Sequence, residues 1–224
     1  LDMAFYDSAN VERSVPHFDF KQENPYIVNL HTSKLNYSKP LKNNHSIEFG
    51  VKFTWTKTSN DIQFKNLIGT DYINDSTKSN KFQYIENINA IFSTWSKTWK
   101  KGWSTNLGLR IEQTNTNQHS FTLNRITKRH YVDFFPSLFI QKSIKEKHSI
   151  NINFSRKIQR PNFEDLNPFL FYLSPYSIWT GNENLRPQYA NITEFTYTYK
   201  NAYSFFIGHE NLNNNYTHLI FQDD

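Results

Sequence analysis

Side chains capable of acid–base, nucleophilic or metal chemistry are present in this sequence, but they do not assemble into a reacting pattern. The eight histidines, His17, His31, His45, His119, His130, His148, His209 and His218, fall mostly at expected turns and strand ends. No two stand at a metal-ligand spacing such as H-E-x-x-H. Glu164 and Asp165 are adjacent, so their carboxylates need not converge on a substrate, and they read as anchors of their own loop against Arg156 or Arg160. Cysteine is absent, which excludes disulfides and thiolate chemistry. There is no phosphate-binding glycine loop and no nucleophile elbow. The sequence therefore predicts no catalytic residue, no cofactor and no metal site, and an enzyme is not expected. Binding chemistry remains. Phe169, Phe171, Tyr172, Tyr176 and Trp179 lie close together in the chain. Aromatic faces stack on sugars and apolar groups and bury much area at low entropy cost, which makes these five a candidate contact surface for a solute. The same residues would equally pack on one another, or sit as an interfacial belt.

These aromatics belong to a stretch, Arg156–Pro187, that carries four of the eight prolines. Its turn formers, Asn167-Pro168, Ser174-Pro175, Gly181-Asn182 and Arg186-Pro187, separate short aromatic runs. Connections of this length are rare inside compact domains and usually have a task. On both sides the sequence alternates with period 2, in H-S-I-N-I-N-F-S-R-K (148–157) and A-N-I-T-E-F-T-Y-T-Y-K (190–200), which reads as β-strand. The stretch is thus a large loop on one rim of a β-structure, spanning about 158–188.

The rest of the chain supplies hairpins to hold it. Residues 1–25 read as a loop-like start with a short strand near Met3–Tyr6. Strands are expected over Ile27–Lys39, Ile47–Trp55, Phe82–Lys100, Trp103–Ile111, Tyr131–Lys142, His148–Lys157, Ala190–Lys200, from Tyr203 onward, and over Thr217–Phe221, nine in all between about 27 and 221. Ser59–Lys81 and Thr114–Lys128 read as polar loops. Within Phe82–Lys100 the apolar residues change register, which implies a bulge or inward-pointing aromatics. Pro136 implies an edge-like or bulged position. Connections alternate between short and long, so tight turns gather on one rim and open loops on the other, as in transmembrane barrels. In the clear strands one register is apolar (Ile47, Phe49, Val51, Phe53, Trp55) and the other polar. Glu48, Lys52, Arg110 and Glu112 would then line a lumen.

Composition fits two-faced strands. Phe 20, Tyr 13 and Trp 5 stand beside 28 Asn, whereas Gly (6) and Met (1) are scarce. A mean hydropathy of −0.72 does not exclude a membrane barrel, because only every second strand residue must face lipid. No run approaches a transmembrane helix. Leu1–Phe20 has neither a basic n-region nor an apolar h-region, so an exported protein would be represented here as a mature chain or an internal piece. The net charge of +5 is modest and scattered, which argues against nucleic acid as a partner and leaves anionic lipid headgroups as an alternative for the loop cations.

R-K-I-Q-R-P-N-F-E-D-L-N-P-F followed by G-N-E-N-L-R-P-Q-Y resembles the hallmark of the outer-membrane β-barrel family found in TonB-dependent receptors of Bacteroidetes. Tyr131–Leu138 and the Lys145–Ser149 turn resemble the segments that precede it in that family. The motif positions are Arg160, Pro161, Leu166, Asn167, Pro168, Phe169, Gly181, Asn182, Asn184, Leu185 and Pro187. The resemblance implies an all-β fold, an antiparallel meander of long hairpins forming part of a transmembrane β-barrel in the cell outer membrane, with residues 1–224 as a partial barrel domain and the 158–188 loop extracellular. It also implies outer-membrane lipid, the remaining barrel strands and a plug, and the TonB complex as partners, with uptake of an unknown solute as the function. An odd strand count, and no plug or TonB-box segment ahead of the strands, make a piece of a larger barrel the expectation. A small closed barrel with an adhesin or structural role, and a soluble β-rich binding module, are the alternatives.

Overall fold

The structure, a computed structural model, describes residues 20–145, 147–174 and 177–220, together with the backbone of Phe5–Tyr6 and Glu12–Arg13. Eight long strands form an antiparallel meander: β1 (Tyr26–Leu41), β2 (His45–Ile68), β3 (Asn80–Thr98), β4 (Trp103–Ser120), β5 (Arg125–Ile144), β6 (His148–Gln159), β7 (Gln188–Tyr199) and β8 (Tyr203–Asn213). Each pairs with its chain neighbours, and the sheet is open, with β1 and β8 at its two edges. The short strand Phe20–Glu23 extends the β1 edge beside upper β2, and Asp71–Asn74 pairs with the opposite side of β2 at residues 65–68. Phe5–Tyr6 pairs with Glu12–Arg13 in a separate two-stranded sheet.

Cross-strand pairing sorts the side chains onto two faces. Ile47, Trp95, Leu107, Leu138 and Phe154 form one unbroken row of direct partners, and Leu35, Val51, Ile91, Ile111 and Phe134 form another. Both rows lie on the outward face, where Ile91 is 57% and Phe134 52% exposed. Along β2 the outward side chains are His45, Ile47, Phe49, Val51, Phe53 and Trp55, then Lys57, Ser59 and Asp61. By register the change to polar comes two outward rows lower on β4 (Ile111, in the row of Val51, then Gln113, Asn115 and Asn117) and one row lower on β5 (Val132, in the row of Phe53, then His130 and Lys128). The apolar band is thus about as tall as the 9–11 tilted residues that cross a bilayer core. Above it the strands continue: β2, with 24 residues, is about 80 Å long at roughly 3.4 Å per residue.

Several expectations are corrected by this architecture. Ser59–Ile68 and most of Thr114–Lys128 are strand, not loop, and Phe121–Asn124 is a tight turn. The rims therefore differ in the height of their hairpins, and only the 69–79 and 160–187 connections are long. Phe82–Thr98 contains no bulge, since the β2–β3 register is continuous; Phe82 and Tyr84 instead point inward and are buried. Phe92 also lies inward, over Gly50, where any Cβ would strike its ring. Pro136 sits in an unbroken pairing with β4, one residue above Ser137, where β5–β6 pairing stops. The residue without an N–H thus stands where one neighbour is lost. Thr217–Ile220 form no strand, so among the described residues the meander has eight strands, the last ending at Asn213; Phe221 lies outside the described residues.

In the upper half the inward face is the packed one. Thr58, Asn60, Ile62 and Phe64 of β2, Phe82 and Tyr84 of β3, and Thr114 to Ser120 in alternation on β4 are all buried there. What covers them is the 160–187 connection.

Candidate functional site

Residues 160–187 turn inward and cross the inward face from β6 towards β2. Two halves of the connection hold each other. Gly181 N–H donates to Asn167 O (2.9 Å), Asn182 N–H donates to Asp165 O (2.7 Å), and Thr180 Oγ1 donates to Pro168 O (3.2 Å). The Leu170–Ser174 and Ser177–Thr180 strands close a hairpin beyond this clasp. A Cβ on residue 181 would lie 2.5 Å from Asp165 O and 2.7 Å from Asn167 O, so only glycine lets the two backbones meet. Side chains cap the turns locally. Asn167 Oδ1 accepts from Phe169 N–H (3.2 Å), Asn182 Oδ1 from Asn184 N–H (2.9 Å), and Asp165 Oδ2 from Asn162 N–H (3.2 Å). These are the Asx-type bonds expected of turn residues.

The clasp is tied to the strands through polar anchors. Arg160 donates from Nη2 to Glu112 Oε2 (2.7 Å) and Thr114 Oγ1 (3.0 Å), and from Nε to Tyr131 Oη (3.3 Å). Glu86 Oε1 is 3.8 Å away. Arg110 holds the other oxygen of Glu112 at 2.5 Å, so one buried carboxylate is shared by two guanidinium groups. Asn167, fully buried, accepts from Asn80 Nδ2 (3.3 Å), whose own Oδ1 accepts from Ser120 Oγ (3.4 Å). On the return half, Glu183 accepts from Arg125 (2.9 Å) and Thr127 (3.3 Å), and Arg129 donates to the carbonyls of Glu183 and Leu185. Apolar contacts complete the docking. Leu166 packs with Phe82 and Tyr84, flanked by Phe163 and Leu185. Tyr172 reaches Phe64 of β2 (ring centroids 5.3 Å apart).

The proposed anchoring of the loop by Glu164-Asp165 against Arg156 or Arg160 is therefore replaced. Arg160 pairs with strand carboxylates, and Asp165 serves turn geometry within the loop. The motif positions are drawn together, with Arg160 as strand anchor, Leu166, Asn167, Phe169 and Leu185 turned inward, Gly181, Asn182 and Asn184 in the clasp, and Pro161, Pro168 and Pro187 half-buried between them. The aromatic set is split. Phe169 (6% exposed) and Phe171 (7%) are buried within the loop, Phe171 against Trp179 (5.4 Å), so they are not a solute-contact surface. Tyr172 and Trp179 are half-buried, and Tyr176 lies outside the described residues. The hairpin instead exposes Leu173 (68%) and Ile178 (52%). Nothing distinguished these two in the sequence, where larger aromatics stood beside them. Glu183, Arg125 and Arg129 were likewise invisible as partners, because more than fifty residues separate them.

Below the loop the inward face is polar. Glu48 accepts from Asn36 (3.1 Å), Lys52 stands directly opposite Lys34, and Arg110 reaches Glu112. Lys34 and Arg110 flank the Phe92 ring at 5.3 and 6.0 Å.

A family model described as the outer membrane protein beta-barrel family matches residues 2–224. No curated protein matches the sequence. Among solved structures, the unliganded ferric citrate transporter FecA is similar with a TM-score of 0.55 at 11% identity, over 84% of this chain and 27% of that one. The siderophore receptor PirA from Pseudomonas aeruginosa aligns at 13% identity over 76% of this chain and 43% of that one, with a TM-score of 0.33. The first likeness bears on fold, an antiparallel sheet of outer-membrane barrel type; the chain spans about a quarter of that relative's length.

Proposed function

The chain belongs to the outer membrane protein β-barrel family, and from that premise we propose that it is a segment of an outer-membrane receptor of the TonB-dependent kind that takes part in solute binding and uptake. The observation that supports this reading is the 160–187 connection, held across the inward face by Arg160 on Glu112 and exposing Leu173 and Ile178. A connection fastened by polar anchors and a glycine clasp is a preorganised surface, which lowers the ordering cost of binding. On this reading the hairpin and the 160–187 clasp face the exterior, the tight turns face the periplasm, and a plug and the TonB complex act through the full-length protein. The role is binding and transport, not catalysis.

The test is growth of a strain lacking the gene on a panel of sole iron and carbon sources, complemented by wild type or by a Leu173→Ser/Ile178→Ser variant at equal outer-membrane abundance. Both side chains point into solvent, so the variant is expected to fold. The expected result is at least one source on which wild type restores growth in a TonB-dependent way and the variant restores it poorly. Restoration that ignores TonB on every source would overturn the uptake reading. Equal restoration by variant and wild type would remove the hairpin from it. Impermeant maleimide on intact cells checks orientation: Asn182→Cys should label and Lys145→Cys should not.

A further inference from the structure

The rim of tight turns carries a charge pattern that the uptake reading does not use. Residues 39–47, 94–107, 140–150 and 197–205, the turns and the strand ends beside them, hold nine lysines and a single carboxylate, Glu146. Two of these lysines are on the outward face, not in the lumen. Lys97 lies one row beyond Ile47 and Trp95, in direct register with His45 and Thr105. Lys142 is the direct partner of Trp103, which bonds back to Trp99 across the turn (Trp99 N to Trp103 O, 2.8 Å). The Lys97 ammonium sits 3.8 Å from the Trp99 ring centroid, and that of Lys142 sits 4.9 Å from Trp103. Trp99 and Trp103 are 45% and 44% exposed, and with Lys97 and Lys100 they border a cavity of about 1190 Å³ that opens beside Ile140. Lys97, Lys100 and Lys142 have no carboxylate within ion-pair distance among the described residues.

We propose that this collar is a binding site for the headgroup of an anionic glycerophospholipid, with its phosphate between Lys97, Lys100 and Lys142 and its glycerol and upper acyl chains along Trp95, Trp99 and Trp103. The inference rests on the outer-membrane placement of the sheet and is independent of solute uptake. Three features select a lipid. The cations face outward, continuous with the apolar band that begins at Ile47, Leu107 and Leu138. The ammonium groups of Lys97 and Lys142 lie over indole rings, and Trp together with Lys is the pairing suited to the headgroup level. Among the described residues the cations have no carboxylate partner, Lys142 Nζ donating only to a neutral carbonyl, that of Lys101. An acidic protein segment would gain from the charge but would leave the exposed indoles unmatched.

The test is native mass spectrometry of the full-length protein in detergent with equal amounts of dioleoyl phosphatidylglycerol and dioleoyl phosphatidylcholine. Each lysine near an anionic lipid phosphate is worth roughly a five-fold preference, from a contribution of about 1 kcal/mol. Wild type should therefore retain phosphatidylglycerol over phosphatidylcholine by on the order of ten-fold or more. Lys97→Gln/Lys142→Gln should keep no more than about the five-fold share of Lys100, whereas Lys52→Gln, which removes the same charge from the lumen face, should behave as wild type. Lys97→Gln alone, whose Nζ lies over the Trp99 ring, supplies the reading should the double variant not fold, with about a five-fold loss expected. Wild-type parity between the two lipids would overturn the proposal, as would an equal loss in Lys52→Gln or an undiminished preference in the lysine variants. A failed lipid preference beside intact TonB-dependent growth leaves the uptake reading standing, and the converse leaves the lipid site standing.

Discussion

Replacing Arg160 by alanine should release the 160–187 connection from the sheet while leaving the meander intact. Three hydrogen bonds are lost, to Glu112 (2.7 Å), Thr114 (3.0 Å) and Tyr131 (3.3 Å). Breaking a buried ion pair from one side costs roughly 3–5 kcal/mol, because the remaining charge is left uncompensated. Here the cost is lower, since Arg110 still holds the other oxygen of Glu112 at 2.5 Å and the Arg160 side chain keeps 19% of its exposure. An effect of about 2–3 kcal/mol on loop docking follows, or roughly 30- to 150-fold in the population of the undocked loop. Hydrogen-exchange mass spectrometry of the full-length protein reads this directly, because the loss is local. Peptides covering 160–187 should exchange faster by that factor, while those in β2–β4 below Trp55 should be unchanged. Arg160→Lys should fall between, as an ammonium keeps the charge but loses the fork that serves Glu112 and Tyr131 together. Arg186→Ala, in the same loop and exposed, is the control. If Arg160→Ala changes loop exchange by less than about three-fold, or accelerates all peptides alike, the anchor role assigned to Arg160 is wrong.

Gly181→Ala should open the clasp by about 1–3 kcal/mol, because the added methyl must displace the carbonyls of Asp165 and Asn167; faster exchange confined to 165–182 checks it. Phe82→Ala should cost about 3–5 kcal/mol in the upper half, since Phe82 is 2% exposed and supports Leu166; denaturant unfolding read by loop proteolysis reports it. Ile91→Arg, on the outward face at the middle of the apolar band, should cost about 2–4 kcal/mol on folding into lipid vesicles. Lys52→Thr should be nearly silent or slightly favourable in the same assay, because Lys52 faces water and stands opposite Lys34, a like-charge pair. Equal effects of these last two would refute the assignment of the two faces.

From Ile47 to Trp55, from Leu107 to Ile111 and from Ile150 to Phe154 the alternation was legible in the sequence alone, because each strand there separates two solvents and period 2 records which is which. The tight turns were legible for a local reason too. Asn43, Asn44, Lys101, Lys145, Lys200 and Asn201 take positive φ within short polar runs. Above Trp55 that record inverts. The outward face meets water, and the inward face meets a loop of mixed chemistry, so Thr58, Asn60, Thr114, Thr116 and Gln118 are buried polar residues and their strands read as loops. The turn formers of Arg156–Pro187 disclosed a folded connection, yet not what it is fastened to. Glu112 lies 48 residues from Arg160, and Asn80 lies 87 from Asn167, and such pairs come together only when the register of β3 to β6 has been set. Which aromatics were spent in packing was decided in the same way. Phe169 and Phe171 are buried because the loop folds inward over β2 and β3, and a side chain's exposure depends on what the rest of the chain places against it.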